Sequence, residues 1–281
     1  MARAVLLITS ADRPGLVALT ATFLAEHGAN VLDADEHRDP VEDLFVQRLE
    51  FEVADTAAVE KIEGDFAAVA AGEELDWSLH RTEGTARLVV LASNQGHCLV
   101  DLLSRVELGE LPAEIAAVIS NHDTFRGIVE RTGVPFHHVP AGEDRVAHEA
   151  ALGALIAELD PDTIVLARYM RILSPDFVAA WPHRIINIHH SFLPAFVGAR
   201  PYEQAYARGV KLIGATAHYV TADLDAGPII AQDSVVVSHR DDVDDLKRRG
   251  RDIERTVLAR AVRLHLEHRI LAYANRTVVF D

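Results

Sequence analysis

Arg184-Ile185-Ile186-Asn187-Ile188-His189-His190-Ser191-Phe192-Leu193-Pro194 is the stretch whose reading decides the fold. Its first three residues open a short apolar run, and Ser191-Phe192-Leu193-Pro194 reads as the loop that ends it. The run predicts a strand over 185–188 with two polar side chains near its carboxyl end. Residues two apart on a strand share a face, so Asn187 and His189 point the same way. Outward from here, short apolar runs recur at 88–92, 115–120, 135–138 and 163–167, and a helical pattern follows each of these four. Such alternation predicts an α/β, mostly parallel, doubly wound Rossmann-like sheet. Sheets of this kind hold their ligands outside the carboxyl ends of the strands, which is where Asn187 and His189 stand. Strands at 212–219 and 228–237 follow as an antiparallel pair. A long helix over 243–273 closes the domain, with Leu258, Val262, Leu266 and Ile270 at i+4 steps.

The first eighty residues follow a different rhythm. A strand over 3–9 leads through the turn Asp12-Arg13-Pro14-Gly15 into a helix carrying Leu16, Leu19, Phe23 and Leu24 on one face and stopping at His27-Gly28. A second strand covers 30–38. From 45 to 53 the odd positions are Phe, Gln, Leu, Phe and Val, while Arg48, Glu50 and Glu52 stand between them, which predicts a half-buried strand. A helix over 56–70 and a strand over 74–81 complete β-α-β-β-α-β, the ferredoxin-like arrangement. The polar stretch Arg81-Thr82-Glu83-Gly84-Thr85 marks the boundary. The expected domains are 1–82 and 88–281, joined by a linker over 83–87.

The chain has 281 residues, 49% hydrophobic and 25% charged, with a formal net charge of −16. That is ample apolar material for a core, and the charge argues against nucleic acid as a partner. With Cys98 as the single cysteine, neither an internal disulfide nor a cysteine-based metal site is expected. The apolar run at 4–8 is too short for a signal peptide, and nothing approaches the roughly 20 apolar residues of a membrane span. A cytoplasmic protein without membrane contact is the expectation.

Asp225, inside Leu224-Asp225-Ala226-Gly227-Pro228-Ile229-Ile230, adds a carboxylate to Asn187 and His189. An amide that donates to an oxyanion, an imidazole that donates or shuttles a proton, and a carboxylate that orients the imidazole together suit acyl-group chemistry. Any one of the three is as readily a capping or turn residue; the strand-end position gives the set its weight. Arg168-Tyr169-Met170-Arg171-Ile172-Leu173-Ser174-Pro175 follows the 163–167 strand and suits a flat heteroaromatic ligand, while Ser174 and Pro175 also read as an ordinary helix start. Ser93-Asn94-Gln95-Gly96-His97 has one glycine, no lysine and no GxGxxG, so it reads as a loop near the site and not as a nucleotide cradle. Adjacent strand residues face opposite ways, so His189 and His190 do not readily share a metal ion, and His218 reads as a support for the site. The helix start near Asp12, Gly15 and Leu16 offers N–H groups to a carboxylate, with a plain cap as the equal alternative.

With these residues in hand, the chain resembles the formyltransferase family in its C-terminal two-thirds, through the Asn-x-His pair and the Leu-Asp-x-Gly-Pro-Ile-Ile loop. It is similar to the formyltetrahydrofolate deformylase branch in three stretches: 166–175, 189–196 and 211–220. The N-terminal eighty residues resemble an ACT domain. One departure is Glu203, where that branch leads one to expect His. The resemblance implies an enzyme that hydrolyses 10-formyltetrahydrofolate to tetrahydrofolate and formate, feeding formate to one-carbon and purine metabolism. It implies Asn187, His189 and Asp225 as catalytic residues, and Arg168, Met170, Arg171, Ile172 and Leu173 as folate-binding. It implies His218 and Gly227 as supports, and no cofactor or metal, folate being the substrate. An amino-acid effector would bind at Asp12, Gly15, Leu16 and Asn30, and the chain would assemble as a homo-oligomer, dimer or tetramer. Three alternatives stay open: a folate-dependent formyltransferase acting on an amine, an amino-acid-sensing protein with an inactive second domain, and a metallohydrolase. Against the first stand the glycine-poor loop at 93–98 and the chain's end soon after the long helix, and against the second the intact set of three.

Overall fold

The computed structural model describes residues 1–195 and 200–280; Phe196, the last residue of the 189–196 stretch, lies outside them. Two compact units emerge. The first contains β1 (Ala2–Ala11), α1 (Leu16–Glu26), β2 (Asn30–Asp39), β3 (Leu44–Val53), α2 (Thr56–Gly72) and β4 (Asp76–Arg81). Its sheet has the order β2-β3-β1-β4, and every pairing is antiparallel. Leu6, Ile8, Phe23, Leu24, Phe51 and Phe66 form its core between the sheet and the two helices. Helix α2 starts where the Asp55 carboxylate accepts from the Ala58 amide, a normal N-cap.

The second unit contains β5 (Ala86–Ala92), α3 (His97–Glu107), β6 (Ala113–Ser120), α4 (Arg126–Arg131), β7 (Phe136–His138), α5 (Arg145–Leu159), β8 (Thr163–Ala167), α6 (Pro175–Ala179), β9 (Ile185–His189), α7 (Pro201–Arg208), β10 (Leu212–Tyr219), β11 (Ile229–Val236) and α8 (Val243–Leu266). The seven strands run in the order β11-β10-β9-β8-β5-β6-β7. Strands β7, β6, β5, β8 and β9 are parallel, and β10 and β11 are added antiparallel. The α/β, mostly parallel expectation therefore holds for this unit. The chain steps from β5 outward to β6 and β7, then returns to β8 on the other side of β5. The strand order thus reverses between β5 and β8, and the crevice at such a switch point is the fold's ligand position.

Three expectations need correction. The final helix ends at Leu266, not 273. His268 turns to a positive φ of 50°, and β12 (Ile270–Tyr273) and β13 (Arg276–Val279) form a hairpin turned by Ala274-Asn275. Ile270 therefore continues the i+4 row only in sequence. The units also do not part at a single cut. Glu267–Leu271 and the chain from Val278 group with Met1–Gly84, and Ala272–Thr277 groups with Thr85–Leu266, whereas the sequence reading put all of 88–281 together. Finally, β3 is half-buried as expected only over 49–53, whereas Val46 and Arg48 are buried on its other face too. Arg48 is 3% exposed, because its Nε donates to the His268 carbonyl at 3.1 Å while its terminal nitrogens meet Asp33 and Glu50 at 2.8 and 2.9 Å. No helix among the described residues is long and apolar enough to cross a membrane.

Candidate active site

Strand β10 lies antiparallel beside β9 with His218 opposite Asn187 and Thr216 opposite His189. Asn187 Nδ2 donates to His218 Nε2 at 3.2 Å, and His218 Nδ1 donates to the Tyr219 carbonyl at 2.9 Å. A carbonyl only accepts, so the His218 proton sits on Nδ1 and Nε2 is the acceptor. His189 Nδ1 stands 3.2 Å from Asp225 Oδ1, and His218 Nε2 is 3.8 Å from the same oxygen. The three residues singled out in the sequence are therefore brought together, with His218 beside them. His189 Nε2 is buried and has no hydrogen-bond partner. A buried unsatisfied polar atom is costly, and this one belongs to the residue best placed to meet a ligand.

The segment carrying Asp225 is shaped by backbone constraints. Asp225 has φ 54°, a left-handed conformation that Asp tolerates better than most residues. Two residues on, a methyl group at Gly227 would stand 1.9 Å from the Tyr219 carbonyl oxygen, so only glycine fits there. The Tyr219 amide donates to the Pro228 carbonyl at 3.0 Å, and the β10–β11 register shifts between Ala217 and His218. Bulges of this kind re-aim side chains next to functional sites. On the other side, Thr216 Oγ1 donates to the Ser191 carbonyl at 2.9 Å and accepts from the Leu193 amide at 3.0 Å. That pins the loop which ends β9.

Charge follows from this geometry. Burial pushes the Asp225 carboxyl up, but the hydrogen bond from His189 and the charges of His189, His218 and His190 outweigh it and hold Asp225 below the ordinary carboxylate value. Burial lowers His218 against the opposing pull of the Tyr219 carbonyl and Asp225. Burial, aided by Arg168, lowers His190 to about 3.

The segment after β8 frames the site from the adjacent strand. Tyr169 is buried, and its hydroxyl meets His148 Nε2 at 2.8 Å. His148 Nδ1 faces the Pro140 carbonyl, so the tyrosine hydroxyl is the donor. Burial pushes that hydroxyl up to about 12. Ser174 caps α6 by accepting from the Phe177 amide, and its own amide donates to Glu149. Between these anchors Met170, Arg171 and Ile172 are exposed while Leu173 is buried. Arg168 differs from the others: it has φ 63° and its side chain is buried. Of the residues near the first helix, Gly15 takes φ 97° at the start of α1, Leu16 is buried, Asp12 pairs with Arg38, and Asn30 donates to Glu52 at 3.2 Å.

Sequence reasoning missed a buried cluster beside the switch point. Glu254 on α8 is 1% exposed. Its Oε1 accepts from the Tyr202 hydroxyl at 2.6 Å, its Oε2 accepts from His97 Nε2 at 2.8 Å, and Arg168 Nε lies 3.4 Å from Oε2. Burial pushes this carboxyl up, and His97, Arg168 and Tyr202 bring it below its ordinary value. The signal was present: Leu246, Gly250, Glu254, Leu258 and Val262 form one i+4 row, all buried. A methyl group at Gly250 would stand 1.9 Å from the Tyr202 hydroxyl oxygen, so that glycine makes room for the tyrosine. The one glycine of the 93–97 loop has a similar explanation, since the Phe125 ring packs where a Cβ at Gly96 would be. His97, Cys98 and Glu254 bring three metal-ligand atoms within 4.8 Å of one another. Their chemistry fits an ion poorly: Arg168 already neutralises Glu254, and burial followed by Glu254 keeps the Cys98 thiol protonated.

Comparison with known proteins agrees with this architecture. The formyl transferase family model matches residues 86–262. The formyltetrahydrofolate deformylase of Bacillus subtilis is 50% identical over 98% of this chain and 93% of its own length. That of Synechocystis is 51% identical over 99% and 98%. A crystal structure of a formyltetrahydrofolate deformylase from Pseudomonas syringae pv. tomato superposes with a TM-score of 0.95 at 45% identity, covering 100% of this chain and 95% of that one.

Proposed function

The chain belongs to the formyl transferase family and to its formyltetrahydrofolate deformylases, and from that premise we propose how its residues hydrolyse 10-formyltetrahydrofolate to tetrahydrofolate and formate. The observation that carries the proposal is the orphaned Nε2 of His189, whose other ring nitrogen is held by the ionised Asp225. Water attacks the formyl carbon. Asp225 positions that water and helps take its proton, and the carbonyl oxygen becomes an oxyanion. His189, protonated on Nε2, donates to it. Asn187 donates with the amide hydrogen that His218 does not use, since an amide nitrogen has two. Collapse of the tetrahedral adduct breaks the carbon–nitrogen bond, the leaving nitrogen takes a proton through His189 or water, and formate departs. His218 acts by fixing the Asn187 amide, and Gly227 by letting the Asp225 segment approach β10. No metal or cofactor enters any step.

Arg168 to Leu173 form the folate-facing wall in this reading. Met170 and Ile172 supply exposed apolar surface for a flat ring, and Arg171 supplies charge for an anionic tail. The first unit, with its β-α-β-β-α-β order, is read as an ACT-like module that takes an amino-acid effector around the α1 N-terminus and pairs with copies of itself in a homo-oligomer.

The test is Asn187→Ala. Loss of one oxyanion donor lowers turnover roughly 10²–10³-fold, with folate binding retained. Turnover within about tenfold of wild type, a barrier change of only ~1.4 kcal/mol, contradicts the role.

A further inference from the structure

Glu254 stands on a helix that contributes nothing to the three catalytic residues. Its carboxylate is nevertheless the point where three site-framing segments meet. His97 is the first residue of α3 and ends the loop after β5. Arg168 is the residue directly after β8. Tyr202 is in the first turn of α7. Each reaches the same carboxylate. The loop after β5 and the loop after β8 are joined a second time, since Arg168 donates to Gln95 at 3.3 Å. These two loops flank the switch point of the sheet.

The arrangement is demanding in a way that simple packing is not. Arg168 is buried and holds a left-handed backbone, a conformation that persists only when its surroundings enforce it. Its Nε and Nη1 find no hydrogen-bond acceptor, so Glu254 supplies charge to a guanidinium that geometry alone does not satisfy. A buried ion pair is weak as a source of stability, but removing one partner leaves an uncompensated buried charge. Removing the charge of Glu254 would leave Arg168 free to seek another partner, and the segment it begins would follow.

We propose that Glu254 is a positioning residue: through Arg168, His97 and Tyr202 it sets the loop of residues 168–173 in the place where it receives the folate ring. This rests on the reading of that loop as the substrate wall. The expected consequence is specific. Glu254→Gln keeps the volume and leaves Asn187, His189 and Asp225 in place, so it weakens substrate binding more than it slows the bound substrate.

The experiment measures KM and kcat for 10-formyltetrahydrofolate, and the Kd of tetrahydrofolate by calorimetry, on the full-length protein. Glu254→Gln is expected to raise KM and Kd at least tenfold while kcat falls less than about threefold, and Glu254→Asp, which keeps the charge, to recover part of the loss. A merely structural role would lower the fraction of active enzyme, and hence apparent kcat, with KM unchanged; that result overturns the inference. Should Glu254→Gln not fold, His97→Ala cuts a single arm and must raise KM at least threefold, and an unchanged KM there overturns it equally. Failure of the underlying reading is distinguishable, because Met170→Ala and Ile172→Ala, both at exposed positions, would then leave KM and Kd as in wild type.

Discussion

His190 shows how a single residue ties the site to pH. It follows the end of β9, with its ring 5.2 Å from that of His189 and 6.0 Å from that of Tyr202. Burial, then Arg168, brings it to about 3, whereas an unfolded histidine titrates near 6.5. Between those values the unfolded chain binds a proton that the folded chain does not, so stability is full above about 6.5 and falls as pH drops through the window. His190→Gln should therefore flatten the acid-side loss, by about 2 kcal/mol between pH 7 and pH 5; urea midpoints at the two values check this, and an unchanged difference contradicts it. Asp225 acts in the same direction at lower pH: its value is held below the ordinary carboxylate range, so its contribution is lost only as pH falls through the folded-state value. At this scale the sequence was informative where chemistry shows in residue type, as with Asn187, His189 and Asp225. Glu254 stands in an apolar i+4 row, but its sequence neighbours Arg251, Asp252 and Arg255 read as a solvated face and mask it. Only the fold brings Tyr202, His97 and Arg168 to it.

Elements decide which of these residues meet. The antiparallel pairing of β10 with β9 puts His218 across from Asn187, and the register shift with β11 comes at His218 itself. Periodicity located every strand of both units up to β11, because buried strands leave short apolar runs and the turns between them carry Gly, Pro and Asn. It failed after α8, where Ile270 continues the helical spacing but the backbone turns at His268. The same turn explains β3. The chain at 267–268 covers Arg48 and takes its hydrogen bonds, a long-range contact that alternation along 45–53 cannot reveal. Arg48→Ala should lower the urea midpoint by an amount worth about 1–3 kcal/mol, since it removes the donor of the part-buried His268 carbonyl and of the Glu50 carboxylate, while KM for the folate stays as in wild type. A stability loss below about 0.5 kcal/mol would mean that the covering segment does not depend on Arg48.

For the whole molecule, two units of different topology are joined in one chain, and the proposed catalytic set, its framing loops and Glu254 all belong to the second. That unit has the sheet of a family whose members include transferases, and the relatives similar over nearly the full length of this chain are named deformylases. The central claim is that the acceptor of the formyl group is water, activated at Asn187, His189 and Asp225. Its most direct test is the reaction of purified protein with 10-formyltetrahydrofolate in ¹⁸O-labelled water with no amine present. The account predicts formate released in step with tetrahydrofolate, each formate carrying one oxygen from the solvent. Formate that appears only after an amine is added, or that lacks the solvent oxygen, would contradict it.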